Sequence, residues 1–166
     1  MRFTLLDRIV ELESGVRITA TKNLTMAEEY LADHFPRFPV MPGVLMLEAM
    51  TQAGAWLIRS SEDFAHSMVV LKEASNVKYG QFVEPGQTLT VSAEIFRQDE
   101  NETRLKVRGS VNGHVTVNGR LVLARYNLAD DNPSRAGIDE AIRKDLRKTF
   151  SLLCQNTQFE KEADAI

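Results

Sequence analysis

Apolar and polar residues alternate with a period of two along several short stretches of the chain. This spacing occurs at 16–20, 89–95, 105–107 and 115–123, and a short apolar run covers 68–71. Such alternation is typical of strands that bury one face and expose the other. Ser14-Gly15 is a turn signal, and Asn112-Gly113 is a strong hairpin signal. The pattern predicts an antiparallel sheet with one face on the core and the other in water.

A nearly continuous apolar stretch at 44–58 departs from this alternation, and only Glu48, Thr51 and Gln52 carry polar side chains in it. A helix that is apolar almost all round is a buried helix. Pro42 suits its start, because proline is tolerated in the first turn. One buried helix and one half-buried sheet cover each other's apolar faces, which indicates an α+β domain.

The segment between the first hairpin and the central helix has signals of its own. Thr25 would cap a short helix at 26–32, and Glu28, three positions on, would complete a capping box. Pro36 and Pro39 stiffen the loop that follows, since proline fixes the φ angle.

Apolar residues recur at helical spacing near the C-terminal end. They are Ile138, Ile142, Leu146, Phe150 and Leu153. This predicts an amphipathic helix at about 138–154, after a linker at Asp130–Ser134. We therefore expect a main domain at 1–130 and an appendage at 131–166, whose last dozen residues are polar and frayed. The exposed face of the sheet or a neighbouring subunit should cover the apolar stripe.

Composition narrows the class of protein. The chain of 166 residues is 43% hydrophobic and 26% charged, which fits a packed core and excludes global disorder. A formal net charge of -3 and a pI of 5.7 argue against nucleic-acid and anionic-membrane partners. The carboxyl group within 44–58 argues against a transmembrane helix. The single cysteine, Cys154, excludes an intramolecular disulfide and favours a reducing, cytoplasmic location.

His34 and Glu48 are candidate acid–base residues. They are 14 positions apart, too far for one helical face, so only the fold can bring them together. Histidine suits proton transfer near neutral pH, and burial on a helix would favour the protonated form of the carboxyl. Alternatively, His34 is a loop histidine, and Glu48, Thr51 and Gln52 form a polar stripe that faces water or a partner. The sequence has no metal-ligand cluster and no glycine-rich phosphate loop, so we expect no metal and no cofactor.

The segment around these two residues resembles one family closely. The motif H-F-P-G-x-P-V-M-P-G-V-L-x-x-E-A-x-x-Q, from the beta-hydroxyacyl-[acyl-carrier-protein] dehydratases of the FabZ type, matches His34-Phe35-Pro36, Pro39-Val40-Met41-Pro42-Gly43-Val44-Leu45, Glu48-Ala49 and Gln52. A weaker likeness extends over about residues 3–128. The resemblance implies the hot-dog fold, in which an antiparallel sheet wraps around one central helix.

The resemblance also implies a reaction, the removal of water from a beta-hydroxyacyl thioester to give a trans-2-enoyl thioester in fatty acid biosynthesis. His34 would take the proton next to the carbonyl, and Glu48 would protonate the departing hydroxyl. The amides of Gly43 and Val44 would bind the developing oxyanion, because donors in the first turn of a helix are free. Gln52, one turn beyond Glu48, would orient it.

The implied partners are an acyl carrier protein with a phosphopantetheine-linked acyl substrate, and further copies of this chain in a homodimer or a trimer of dimers. Family members place the histidine of one chain opposite the glutamate of its dimer mate, so each site would be shared.

Three positions depart from the family pattern. Asp33, Arg37 and Glu73 stand where the family has glycine. They favour a non-catalytic acyl-binding or scaffold homologue. A hot-dog acyl thioesterase, in which the same carboxyl would act with a water nucleophile, is the other alternative. The pairing of His34 and Glu48 with Pro42-Gly43 favours dehydration over the thioesterase, and an assay on one hydroxyacyl thioester would separate all three activities.

Overall fold

A computed structural model describes residues 3–155 and 157–159, the last two by their backbone alone. One seven-stranded sheet dominates this part of the chain. Its strands are β1 (Arg8–Glu13), β2 (Arg17–Asn23), β3 (Met68–Tyr79), β4 (Thr88–Gln98), β5 (Glu102–Val111), β6 (His114–Tyr126) and β7 (Gln158–Phe159). The helices are α1 (Gly43–Ser61), α2 (Leu128–Asp131) and α3 (Ala136–Leu153), with 3-10 turns at Glu29–Ala32 and Pro133–Arg135.

The order of strands across the sheet is β3-β6-β5-β4-β2-β1-β7. Among the described residues, five of the six strand pairings are antiparallel, and the sixth joins β7 in parallel to β1. Asn112 and Gly113 have φ angles of 51° and 81°, which suit the two-residue turn between β5 and β6. Buried and exposed residues alternate along β4 and β5, so the predicted half-buried antiparallel sheet is confirmed.

The predicted central helix is confirmed as α1, which packs on one face of the sheet. Met50, Leu57 and Ile58 of this helix are completely buried. Gly54 lets the sheet approach this helix closely, because a Cβ atom there would lie 3.3 Å from Leu123 Cδ1. One helix packed on one largely antiparallel sheet confirms the predicted α+β domain and is the hot-dog arrangement that the family resemblance implies.

The capped helix predicted after Thr25 is wrong, and a short 3-10 turn at Glu29–Ala32 stands in its place without a side-chain cap. The hydroxyl of Thr25 accepts a hydrogen bond from the amide of Ala27, 3.2 Å away. The carboxylate of Glu28 is bound by the ammonium group of Lys22 on β2. Thr25 thus makes a local bond of the capping type, whereas Glu28 is held across the fold and does not complete the capping box.

Two other segments are more ordered than predicted. The apolar run at 68–71 is only the start of β3, which continues to Tyr79 because its polar half pairs with β6. The predicted linker at Asp130–Ser134 is folded into α2 and a 3-10 turn. Asn127 and Asp130 form a capping box at the start of α2, and this box stabilises helix in a sequence that looks like loop.

The predicted C-terminal helix is confirmed as α3, but its predicted position is wrong. It packs beside α1 in the same chain, not on the solvated face of the sheet. The Phe150 ring lies 5.9 Å from that of Trp56 and 5.5 Å from that of Phe64. Leu153 is buried, whereas Ile138, at the other end of the stripe, is 52% exposed. Most of the polar segment predicted to fray lies outside the described residues, and none of the described helices is long and apolar enough to cross a bilayer.

Candidate active site

Glu48, Thr51 and Gln52 line one cavity of about 520 Å³ beside α1. The helix buries its other faces against the sheet, so its polar residues fall together on the face that the sheet leaves uncovered. Glu48 is half-buried, so its carboxyl group is partly removed from water. The cavity gives its carboxylate access to a ligand.

Gln52 holds Glu48 and the N-terminal segment at the same time. Its side-chain Nε2 donates to Glu48 Oε1 at 2.8 Å and to the carbonyl of Phe3 at 3.0 Å. Its Oε1 accepts from the amide of Leu5 at 2.9 Å. The amide orientation follows from these partners, because a backbone N–H only donates and a carbonyl only accepts. Glu48 Oε1 therefore occupies one fixed position.

His34 lies in the loop before α1 and is half-buried. Its Nδ1 is 3.0 Å from the carbonyl oxygen of Val40. Since a carbonyl can only accept, Nδ1 carries the proton in the neutral ring, and Nε2 keeps a free lone pair. Phe35 follows with a φ angle of 55°, an uncommon conformation for a non-glycine residue. The loop thus presents a histidine whose Nε2 can act as a base.

The start of α1 offers free backbone donors. The amides of Leu45 and Met46 donate to the carbonyl of Pro42, at 2.9 and 3.2 Å. The amides of Gly43 and Val44 come before them in the first turn and have no acceptor within the helix. The positive end of the helix dipole lies at the same place, which favours an oxyanion there.

Gly43 has a packing role as well. A Cβ atom on this residue would lie 2.9 Å from Cε1 of Tyr79, at the end of β3. A real Cβ would force the ring to move, so glycine lets the strand approach the helix start.

The described chain brings some predicted site residues together and leaves others apart. Glu48 and Gln52 are in direct contact, as predicted. His34 is not among the residues that line the Glu48 cavity. Two features of the cavity were missed by sequence reasoning, namely Arg59 and the wall formed by α3. Arg59 could have been found, because positions 48, 52 and 59 share one helical face.

Arg59 gives the cavity a positive charge. Burial lowers the pKa of its guanidinium to about 10, so it stays protonated at neutral pH. Within residues 3–155 and 157–159, no three His, Cys, Asp or Glu side chains are placed to hold a metal ion.

Comparison with known proteins gives the family. The family model of the FabA-like domain matches residues 1–125. The 3-hydroxyacyl-[acyl-carrier-protein] dehydratase FabZ of Variovorax paradoxus is 40% identical over 129 residues, covering 76% of this chain and 86% of the relative. That of Ruminiclostridium cellulolyticum is 37% identical over 122 residues, covering 74% and 86%. The dehydratase heterocomplex ApeI:P from Xenorhabdus doucetiae has a similar fold, with a TM-score of 0.63, 21% identity, and coverage of 76% of this chain and 85% of that chain. On the strength of the family match and these identities, the chain belongs to the FabA-like family, alongside the 3-hydroxyacyl-[acyl-carrier-protein] dehydratases FabZ.

Proposed function

We propose that this protein is a 3-hydroxyacyl-[acyl-carrier-protein] dehydratase that acts in fatty acid biosynthesis in the cytoplasm. Its FabZ relatives carry this activity in their names. The observation that carries the proposal is the Glu48–Gln52 hydrogen bond, which fixes a carboxyl group at a cavity on the central helix. A histidine with a free Nε2 stands on the loop that leads into the same helix.

His34, Glu48 and the backbone amides at the start of α1 can together carry out the elimination of water. Nε2 of His34 takes a proton from C2 of the acyl group, and the C2–H electron pair becomes the C2=C3 bond. The C3–O bond breaks, and the protonated Glu48 gives its proton to the leaving oxygen, so that water departs. The amides of Gly43 and Val44 stabilise the enolate-like oxygen of the thioester in between.

We further propose that two chains share each site. His34 does not line the Glu48 cavity of its own chain. Apolar side chains are exposed around the loop of His34 and the start of α1. They are Phe35, Phe38, Val44, Tyr79 and Phe82, and the rings of Phe38 and Phe82 lie 5.7 Å apart. Exposed apolar clusters of this kind mark interfaces.

The edge of the sheet supports the same partner. β3 ends the sheet, and its 12 residues have β6 on one side only. A long unpaired edge is a template for another strand. Two-fold pairing of β3 edges would bury both, and a closed dimer repeats each contact twice. A homodimer would thus place the His34 loop of one chain near α1 of its partner.

The reaction class is tested on one 3-hydroxyacyl-[acyl-carrier-protein]. Formation of the conjugated enoyl thioester, followed by its ultraviolet absorbance, supports the dehydratase. Release of free thiol without the enoyl product would identify a thioesterase instead. Binding without either product would identify a scaffold protein.

The shared site is tested by mixing chains. His34→Ala and Glu48→Gln proteins, each nearly inactive, are unfolded together and refolded. Half of the dimers are then mixed, and each mixed dimer has one complete site, so activity returns to roughly a quarter of wild type. Exchange of chains without recovered activity would place both groups in one chain.

A further inference from the structure

The cavity at Glu48 has four walls. The first is the polar face of α1, the second is the start of β3 with Val69 and Leu71, the third is α3, and the fourth is the N-terminal segment with Phe3 and Thr4. On α3, the lining residues are Ile142, Asp145, Leu146 and Thr149. They recur three or four positions apart, so they form one face of the helix. This third wall lies beyond residues 1–125, which the FabA-like family model matches.

The wall is anchored at both ends. Near its start, the buried carboxylate of Asp139 accepts hydrogen bonds from the hydroxyl of Ser67 and from the amides of Leu128 and Ala129, the last two at 2.9 Å. Near its end, Phe150 packs against aromatic rings of the core. Contacts at two points fix a helix in position and orientation, so α3 has a defined surface to present to the cavity.

Arg59 marks the far end of the cavity. It follows Glu48 by 11 residues on α1, or about 16 Å along the helix axis. Its guanidinium lies over the Trp56 ring, 5.3 Å from the centroid, and Nη2 is 3.5 Å from the carbonyl oxygen of Val69. Its Nε is buried without a hydrogen-bond partner among the described residues. A methyl group pushed against this cation would remove the little hydration it keeps, which is unfavourable.

We infer that α3 is part of the acyl-binding site, and that α3 and Arg59 together set an upper limit on the length of the acyl chain. The inference rests on the proposed function, because it assigns the cavity at Glu48 to the acyl group. A straight acyl chain extends from Glu48 between Trp56 and Leu146 toward Arg59. The preferred substrates are those whose terminal methyl stops before the guanidinium.

The test uses straight-chain 3-hydroxyacyl thioesters that lengthen by two carbons at a time. Each buried methylene adds about fourfold to kcat/KM until the chain meets the far end. Beyond that length, kcat/KM of the wild type falls. Leu146→Ala opens the α3 wall, so its maximum moves to a longer chain, and kcat/KM on the first disfavoured substrate rises about tenfold.

Leu152→Ala is the matched control. It makes the same change on the same helix, at a residue that is 66% exposed and outside the cavity lining. It should keep the wild-type length profile. Thr149→Ala, which enlarges the same wall without removing a leucine, gives a second variant if Leu146→Ala is unstable. Arg59→Met removes the charge at the far end of the cavity, so its kcat/KM maximum should also move to a longer acyl chain.

An unchanged length maximum in folded Leu146→Ala and Thr149→Ala proteins would overturn the inference. Failure of the proposed function looks different, since wild type would then form no enoyl product at any length. In that case, binding of acyl-pantetheine compounds of increasing length, measured by calorimetry, tests the limit without turnover. Length-limited binding that Leu146→Ala extends supports the role of α3, and binding that ignores length refutes it.

Discussion

Replacement of Gln52 by leucine tests whether this residue positions Glu48 or only holds the fold together. The change keeps the approximate size of the side chain and removes three hydrogen bonds, to Glu48, to Phe3 and to Leu5. The three lost hydrogen bonds lower the free energy of unfolding by different amounts, because their partners differ in access to water.

The largest stability term comes from Leu5. Its side chain is buried, and its amide loses the only acceptor described for it, which costs about 1–3 kcal/mol. The carbonyl of Phe3 belongs to an exposed residue, so water replaces the lost donor at little cost. A loss of about 2 kcal/mol in the free energy of unfolding corresponds to a fall in Tm of about 4–8 °C for a domain of this size.

The effect on catalysis is separate. A hydrogen bond to the neutral, protonated carboxyl group contributes about 0.5–1.5 kcal/mol, so loss of the bond from Gln52 should lower kcat by about 2- to 12-fold. KM should change little, since Gln52 acts through Glu48 and not on the thioester. Steady-state dehydration kinetics and a thermal melt on the same preparation give both quantities.

Thr51→Val is the control for Gln52→Leu. Thr51 lines the same cavity, but its hydroxyl donates only to the carbonyl of Leu47 within the helix. Its kcat should stay within about twofold of wild type, with a stability change below about 1 kcal/mol. If Gln52→Leu loses stability but keeps the wild-type kcat, Gln52 is a structural residue and the positioning argument fails. If its Tm is unchanged, the assignment of the buried Leu5 amide is wrong.

Three further predictions concern the acid–base pair, the helix start and the C-terminal helix. Glu48→Gln should keep the wild-type Tm and lose most of the dehydration activity. The wild-type kcat/KM should be bell-shaped with pH, because His34 must be unprotonated and Glu48 protonated for the reaction. A profile that is flat from about pH 5 to 9 would contradict this. Gly43→Ala should lose about 1–2 kcal/mol of stability through contact with Tyr79 and recover it when Tyr79→Ala is added, whereas additive losses would exclude the contact. Burial raises the pKa of Asp139, but its hydrogen bonds outweigh burial, and the net effect is a lowered pKa. The stabilising effect of its carboxylate is therefore present above about pH 4 and is lost on acidification. In denaturant titrations, the difference in stability between wild type and Asp139→Asn should shrink below that pH.

Local patterns in the sequence determined most of the elements. Period-two alternation identified β4 and β5, and Asn112-Gly113 identified the hairpin between β5 and β6. The apolar stretch identified α1. Each of these signals depends only on residues that are close in the chain. The contact of Gln52 with Glu48 was also accessible, since residues four apart meet on a helix. The motif around His34 identified the family that the comparisons show.

Competition between distant groups decided what the sequence could not. The helix predicted after Thr25 is absent because Lys22, on another element, binds the carboxylate of Glu28. The polar half of β3 has no strand pattern, and its conformation comes from pairing with β6. Propensity is a weak preference, and such long-range partners override it.

The cavity depends on tertiary structure most of all. An amphipathic stripe shows that α3 must be covered, but not by what, since any apolar surface satisfies it. Asp139 and Phe150 fix the position of α3, through contacts with Ser67 and Trp56, which are far away in sequence. Glu48 is half-buried for the same reason, because its exposure depends on how closely α3 and β3 approach α1. The sequence determines which chemical groups the side chains carry, whereas the packing of helices and strands determines whether water and ligand can reach them.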